Sequence, residues 1–127
     1  MELTPQVPRG LQLIEAYGDG RFRISGIAYD APILVTPGRT FAWGCESVTA
    51  LSPRGLFDSL WPLFAGFRPE ILLLGCGAQM TLVAPETRAL FKEQGVAVEP
   101  MDTGAACRTY NVLVAEERLV AAALIPV

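Results

Sequence analysis

The stretch "EILLLGCGAQM" constrains this chain more than any other. Ile71, Leu72, Leu73 and Leu74 form a run of strand length with no polar position, and glycine follows at once. A strand with one wet face alternates apolar and polar residues. A strand apolar at both parities must bury both faces, which is the environment inside a parallel sheet covered on two sides. The segments around it change period. Upstream, Leu56, Phe57, Leu60, Trp61, Leu63 and Phe64 recur at helical spacing behind Ser52 and Pro53, so a helix is expected with Ser52 as N-cap and Pro53 at its first position. Pro62 cannot donate a helical hydrogen bond, so that helix should kink or divide in two. Downstream, "PETRALFKEQG" has a proline start, an acid in the first turn, Lys92 in the last and Gly95 as the stop, which marks a second helix.

"VAVEP" then reads as a short strand, Asp102-Thr103-Gly104 opens a third helix over "AACRTYNVLVAEE", and "RLVAAALIP" closes as a strand. The first forty residues carry β signals. "LQLIEAYG" and "RFRISG" flank the turn Gly18-Asp19-Gly20 as a hairpin, with Phe22 and Ile24 on one face. Ile33–Thr36 and Thr40–Trp43 follow as strands around Pro37-Gly38. The order of elements predicts an α/β fold with a mixed, mostly parallel central sheet of about five strands, helices packed on it and an additional N-terminal β-hairpin layer. A chain of 127 residues is expected to form a single domain over 1–127, with about residues 1–10 as a flexible N-terminal segment. A domain of that size buries roughly 65–70% of its unfolded surface, enough for a core without disulfides.

Composition removes several functions. There is no histidine and Lys92 is the only lysine, which excludes Ser-His-Asp and Cys-His catalysis, histidine-ligated metals and the lysine-ended phosphate loop. Lys92 itself reads as a solvated charge at a helix end. A formal charge of −3 without a basic cluster gives no footprint for nucleic acid. Cys45, Cys76 and Cys107 are widely spaced, with no C-x-x-C, so neither a disulfide framework nor a zinc site is expected. No apolar run approaches the roughly 18–20 residues of a transmembrane helix. "MELTPQVPRG" has neither the basic nor the apolar region of a signal peptide, so a cytoplasmic location is expected. No cofactor is implied.

Two motifs invite a catalytic reading. "GCGAQM" imitates a dinucleotide fingerprint, but Met80 stands where the third glycine belongs, and "MTLVAP" separates the glycines from the helix that Pro85 starts. The loop therefore reads as a tight exit from a buried strand. Asp102-Thr103-Gly104 carries the triplet of aspartic proteases, but it precedes a helix, so Asp102 and Thr103 read better as N-cap residues. Cys107 lies where a helix dipole lowers a thiol pKa, yet no base accompanies it, and Cys76 and Cys107 read as small buried hydrophobes. If the strands before the two loops are parallel neighbours, their carboxyl ends bring together Gly75, Cys76, Gly77, Asp102, Thr103, Cys107, Arg108 and Asn111. These are the candidate pocket or contact surface. None is assigned as catalytic.

Taken together, "LLLGCGAQM" and "VEPMDTGAACRTYNVLVAEERLVAAALIP" resemble a family of small domains of unknown biochemical activity. That family includes mitochondrial NADH dehydrogenase complex I assembly factor 3 and an adipogenesis-associated protein. The likeness is strongest over Ile71 to Pro126 and extends more weakly to about Leu11. It implies a three-layer fold with a central mixed sheet, and it brings no catalytic residues. It also implies protein partners, such as respiratory complex assembly intermediates. Two functions are carried forward: a non-enzymatic protein-interaction domain, which is favoured, and a small-molecule-binding protein or enzyme using a pocket near Gly75–Gly77 and Asp102. If the chain self-associates, a homodimer is the expected assembly, because two-fold dimers are the commonest symmetric oligomers.

Overall fold

The computed structural model describes residues 10–127, so the segment expected to be flexible lies outside the described residues except for Gly10. The strands are β1 (Ile14–Gly18), β2 (Arg21–Ile24), β3 (Ile27–Tyr29), β4 (Ile33–Val35), β5 (Thr40–Ala42), β6 (Ile71–Gly75), β7 (Ala97–Met101) and β8 (Val120–Leu124). The helices are α1 (Pro53–Leu60), α2 (Pro85–Glu93) and α3 (Thr103–Ala115). β1, β2 and β3 form an antiparallel sheet in that order, and a second sheet runs β5-β4-β8-β6-β7. Both pairings of β6 are parallel and both of β4 are antiparallel, so parallel pairing is confined to β6 and its two neighbours.

The apolar run behaves as its composition requires. Leu72, Leu73 and Leu74 are all buried, with Leu72 and Leu74 on one face of the sheet and Leu73 on the other. The first face, with Leu34, Ala121 and Ala123, packs under α1 and α2. The second, with Ile33, Val35 and Ala122, packs under α3 and the N-terminal sheet. The molecule therefore has three layers. Next to β6, β8 carries Ala121, Ala122 and Ala123, all at 0% exposure, and Ala106 of α3 is equally buried. Small side chains at those contacts let the helices lie close to the sheet, because side-chain size sets the distance between packed elements.

Local chemistry sets the element ends. Ser52 Oγ accepts from Gly55 N at 2.9 Å and caps α1 ahead of Pro53. At Pro62 the helix gives way to a 3-10 turn, Trp61–Phe64, so the helix is divided as expected. Phe57, Trp61 and Phe91 then join α1, the turn and α2: Phe57 stacks on Trp61 at 5.6 Å and meets Phe91 edge-on at 4.7 Å between ring centroids.

The expected hairpin gains a third strand that the sequence reading misses. Ser25 and Gly26 both have positive φ, 44° and 86°, which is the geometry of a tight two-residue hairpin turn. β3 is mostly exposed, so it carries no burial pattern. The sheet is fastened to α3 by side chains. Asn111 accepts from Ile14 N at 2.9 Å through Oδ1 and donates to Ile14 O at 2.7 Å through Nδ2, doing for β1 what a neighbouring strand would do. Tyr110 donates its hydroxyl to Gln12 O at 2.8 Å.

Truncating β6 at Leu73 should open a cavity in the core under α3 and the N-terminal sheet. Leu73→Ala is expected to lower stability by about 2–5 kcal/mol, read as a lower urea midpoint at unchanged slope. A loss well under 1 kcal/mol would show that β6 is not the packed centre described here.

Candidate functional site

The parallel pairing of β6 and β7 brings their exit loops together, as the sequence predicts. Cys76 N donates to Met101 O at 2.9 Å, and Thr103 N donates to Gly77 O at 2.8 Å. Gly75 sits where no side chain fits: a Cβ there would lie 2.9 Å from Leu124 Cδ2 and 3.2 Å from both Cα and Oγ1 of Thr103. Gly77 turns the chain at φ 101°, a conformation that favours glycine. The Thr103 hydroxyl accepts from Gly77 N at 2.9 Å and donates to Ile125 O at 2.7 Å. Ile125 N in turn donates to Gly75 O at 3.0 Å. One buried hydroxyl thus ties the exit of β6, the start of α3 and the end of β8.

Asp102 has extended backbone, and its Oδ1 accepts from Ala105 N at 2.9 Å, so it is the N-cap of α3. Thr103, read from sequence as a second cap residue, is the first helical residue instead, and its hydroxyl serves the neighbouring strands. The N-terminus of α3 therefore does face the glycine loop. Three of its leading amides, however, bond protein acceptors: Thr103 N donates to Gly77 O, Ala105 N to Asp102 Oδ1, and Ala106 N to Asp102 O at 3.0 Å, while Gly104 N has no acceptor among the described residues.

The other candidates lie further along α3. Arg108 is exposed and donates to the Tyr17 hydroxyl. Gly104 lies between them, since a Cβ there would come within 3.2 Å of both Arg108 Nη1 and the Tyr17 ring and 3.4 Å of Asp102 Oδ1. Asn111 is committed to Ile14. Cys107 is buried, and desolvation pushes its thiol up to about 12; Arg108 opposes this and Asp102 adds to it. Burial thus outweighs the helix dipole that the sequence position would favour. Cys76 differs from the buried hydrophobe expected, because it is half-buried, with Sγ 3.4 Å from Leu74 O. Burial still raises its pKa.

The structure brings Gly75, Cys76, Gly77, Asp102 and Thr103 to one strand exit and sets Arg108 and Asn111 against the N-terminal sheet. Sequence reasoning misses Tyr17 and Ile125, which complete these contacts. Tyr17 is an aromatic at a strand end with nothing local to pair it to a residue so distant in the chain, and Ile125 contributes only backbone. A groove of about 240 Å³ lies on the α1–α2 side between Leu51, Leu56, Leu74, Thr81 and Thr87, and none of the eight candidates lines it. Among the described residues no group of three or more Cys, Asp or Glu side chains is placed to hold a metal ion. No described helix is long and apolar enough to cross a membrane.

Residues 14–125 match the family described as protein of unknown function (DUF498/DUF598). The chain belongs to this family. It is 38% identical over 115 residues to NADH dehydrogenase (ubiquinone) 1 alpha subcomplex assembly factor 3 of Xenopus tropicalis, covering 89% of this chain and 60% of that protein. The chain thus spans less than two thirds of that relative. An uncharacterised protein of Rhodobacter capsulatus is 33% identical over 127 residues, covering 98% of this chain and 94% of its own length. Among solved structures, a Bordetella pertussis protein described as an Mth938-like domain superposes with a TM-score of 0.81 at 31% identity, covering 99% of this chain and 92% of that one.

The strand-exit joint yields an ordered pair of stability effects. Asp102→Ala should cost about 1 kcal/mol, the usual loss of an N-cap. Thr103→Val keeps the shape but strips partners from Gly77 N and Ile125 O, and should cost more, roughly 1–3 kcal/mol for each group left unpaired. Thermal unfolding of both variants checks this; a neutral Thr103→Val would show that the hydroxyl does not hold the joint.

Proposed function

We propose that this chain is a non-enzymatic protein-interaction domain that assists assembly of a respiratory NADH dehydrogenase, complex I, through protein partners. The observation that carries the reading is the 38% identity to an assembly factor across 89% of the chain. The geometry supports it from another side. Asp102, Thr103, Arg108 and Asn111, the polar members of the predicted cluster, all bond groups of the chain itself. A site for chemistry keeps such groups free for a substrate. Cys45, Cys76 and Cys107 are free thiols, which accords with a reducing compartment, and we place the action in the cytoplasm.

Affinity purification of the tagged full chain from a source that has complex I, followed by mass spectrometry, tests the reading. Complex I subunits or their assembly proteins should be enriched over a tag-only control. Recovery of no such protein would overturn the proposal.

A further inference from the structure

The two edges of the five-stranded sheet are built differently. At β7 the register turns the backbone groups of Ala97, Glu99 and Met101 toward β6 and those of Val98 and Pro100 outward. Arg88 Nη1 takes the Val98 carbonyl at 2.8 Å, and Pro100 has no N–H to offer. That edge is blunted, as edges that must not pair commonly are.

β5 lacks these devices. Thr36 N donates to Arg39 O at 2.8 Å and Trp43 N to Pro32 O at 2.9 Å, with Phe41 opposite Leu34 between them. Antiparallel alternation then aims the N–H and C=O groups of Thr40 and Ala42 away from β4, and among the described residues no backbone group meets them. Beside this edge, on the α1 side, lies a groove of about 200 Å³ between Phe41, Phe64 and Phe67. It adjoins a second, of about 290 Å³, that includes Trp61 and shares Phe64 and Phe67. The Arg39 guanidinium lies 4.9 Å from the Phe41 ring centroid, and that of Arg68 lies 6.0 Å from the Trp61 centroid. Arg23, Arg54 and Arg118 each have a carboxylate within 4 Å; among the described residues Arg39 and Arg68 have none. Neither groove is lined by an acid, although the chain as a whole is acidic.

We propose that the β5 edge and its aromatic groove dock an extended, acidic and apolar segment of a partner protein, which joins the sheet as an added strand. Its backbone pairs with Thr40 and Ala42, an apolar side chain enters between Phe41, Phe64 and Phe67, and carboxylates meet Arg39 and Arg68. Strand addition takes affinity from main-chain bonds and specificity from alternate side chains, and aromatic and arginine side chains are the usual anchors of such interfaces. Charge selects the occupant. A second copy of this chain would bring the same cationic rim and leave both arginines without acids. The proposal rests on the interaction-domain reading and names the surface it uses.

A photo-crosslinking amino acid placed in the full chain at Ala42, and at exposed Ala89 on α2 as control, tests it in a source that has complex I. Crosslinked peptides are identified by mass spectrometry, and the segment joined to position 42 is synthesised and titrated against the purified chain. Position 42, but not 89, should crosslink an acidic segment of another protein. The synthetic segment should bind at least tenfold more weakly to the Arg39→Glu/Arg68→Glu variant and to Ala42→Pro, each with an unchanged thermal midpoint. Should Ala42→Pro fail to fold, the charge reversal and its salt dependence decide. Crosslinks from position 42 to a second copy, to residues 1–9 or to a segment without acids would overturn the docking site. So would no crosslink at 42 while purification still recovers partners, a result that leaves the interaction-domain reading standing. Recovery of no partner at all removes both.

Discussion

The close approach of three backbone segments around Gly75 is the constraint on which the other parts depend. β6 can lie between two parallel neighbours only if the chain leaves it without colliding with the end of β8 or the start of α3. Gly75 has no side chain to collide with Leu124, and the Thr103 hydroxyl bonds Gly77 N and Ile125 O at once. This fixes where α3 begins, and the capped helix then runs across the second face of the sheet. From that face Tyr110 and Asn111 hold Gln12 and Ile14, so the position of the N-terminal sheet follows from the same joint. A buried hydroxyl with both partners in place is stabilising mainly because leaving any of the three unpaired is costly.

The same arrangement bears on function. Glycine loops beside helix starts often bind phosphate because amides there are free. Here the amides of Gly77, Thr103, Ala105 and Ala106 are occupied by protein acceptors and only Gly104 N of that turn is left without one, which turns a familiar ligand-binding geometry into a structural joint. Further unspent polar capacity lies elsewhere. It is found at the β5 edge and at Arg39 and Arg68, beside aromatic rings that are only partly covered. A surface of that kind suits a protein partner better than a small substrate, in keeping with kinship to assembly factors.

Much of the fold is legible in the sequence because single residues carry unambiguous physics. Pro62 kinks or divides a helix when it falls inside one, Ser52 and Asp102 have the short polar side chains that cap, and Ile71–Leu74 has no polar face to expose. β3 is not legible by pattern, being short and exposed, although Ser25-Gly26 is a turn signal in its own right. The candidate cluster is legible as a place but not as a role. Spacing along α3 puts Arg108 and Asn111 three residues apart on one helix face, yet their partners, Tyr17 and Ile14, come from a sheet whose position only tertiary packing decides. Cys107 shows the same limit: its place in the helix favours a lowered pKa, while its burial, set by β8 and the N-terminal sheet, drives it the other way.

Native-state hydrogen exchange at Gly77 probes the central claim most directly. If the Gly77 amide is locked to the Thr103 hydroxyl, it should exchange only with global unfolding, at the same free energy as the β6 amide of Leu73. Exchange of Gly77 at the rate of the exposed loop residues Ala78 and Gln79, while Leu73 stays protected, would contradict the account. It would return the glycine loop to the class of mobile, ligand-accessible segments.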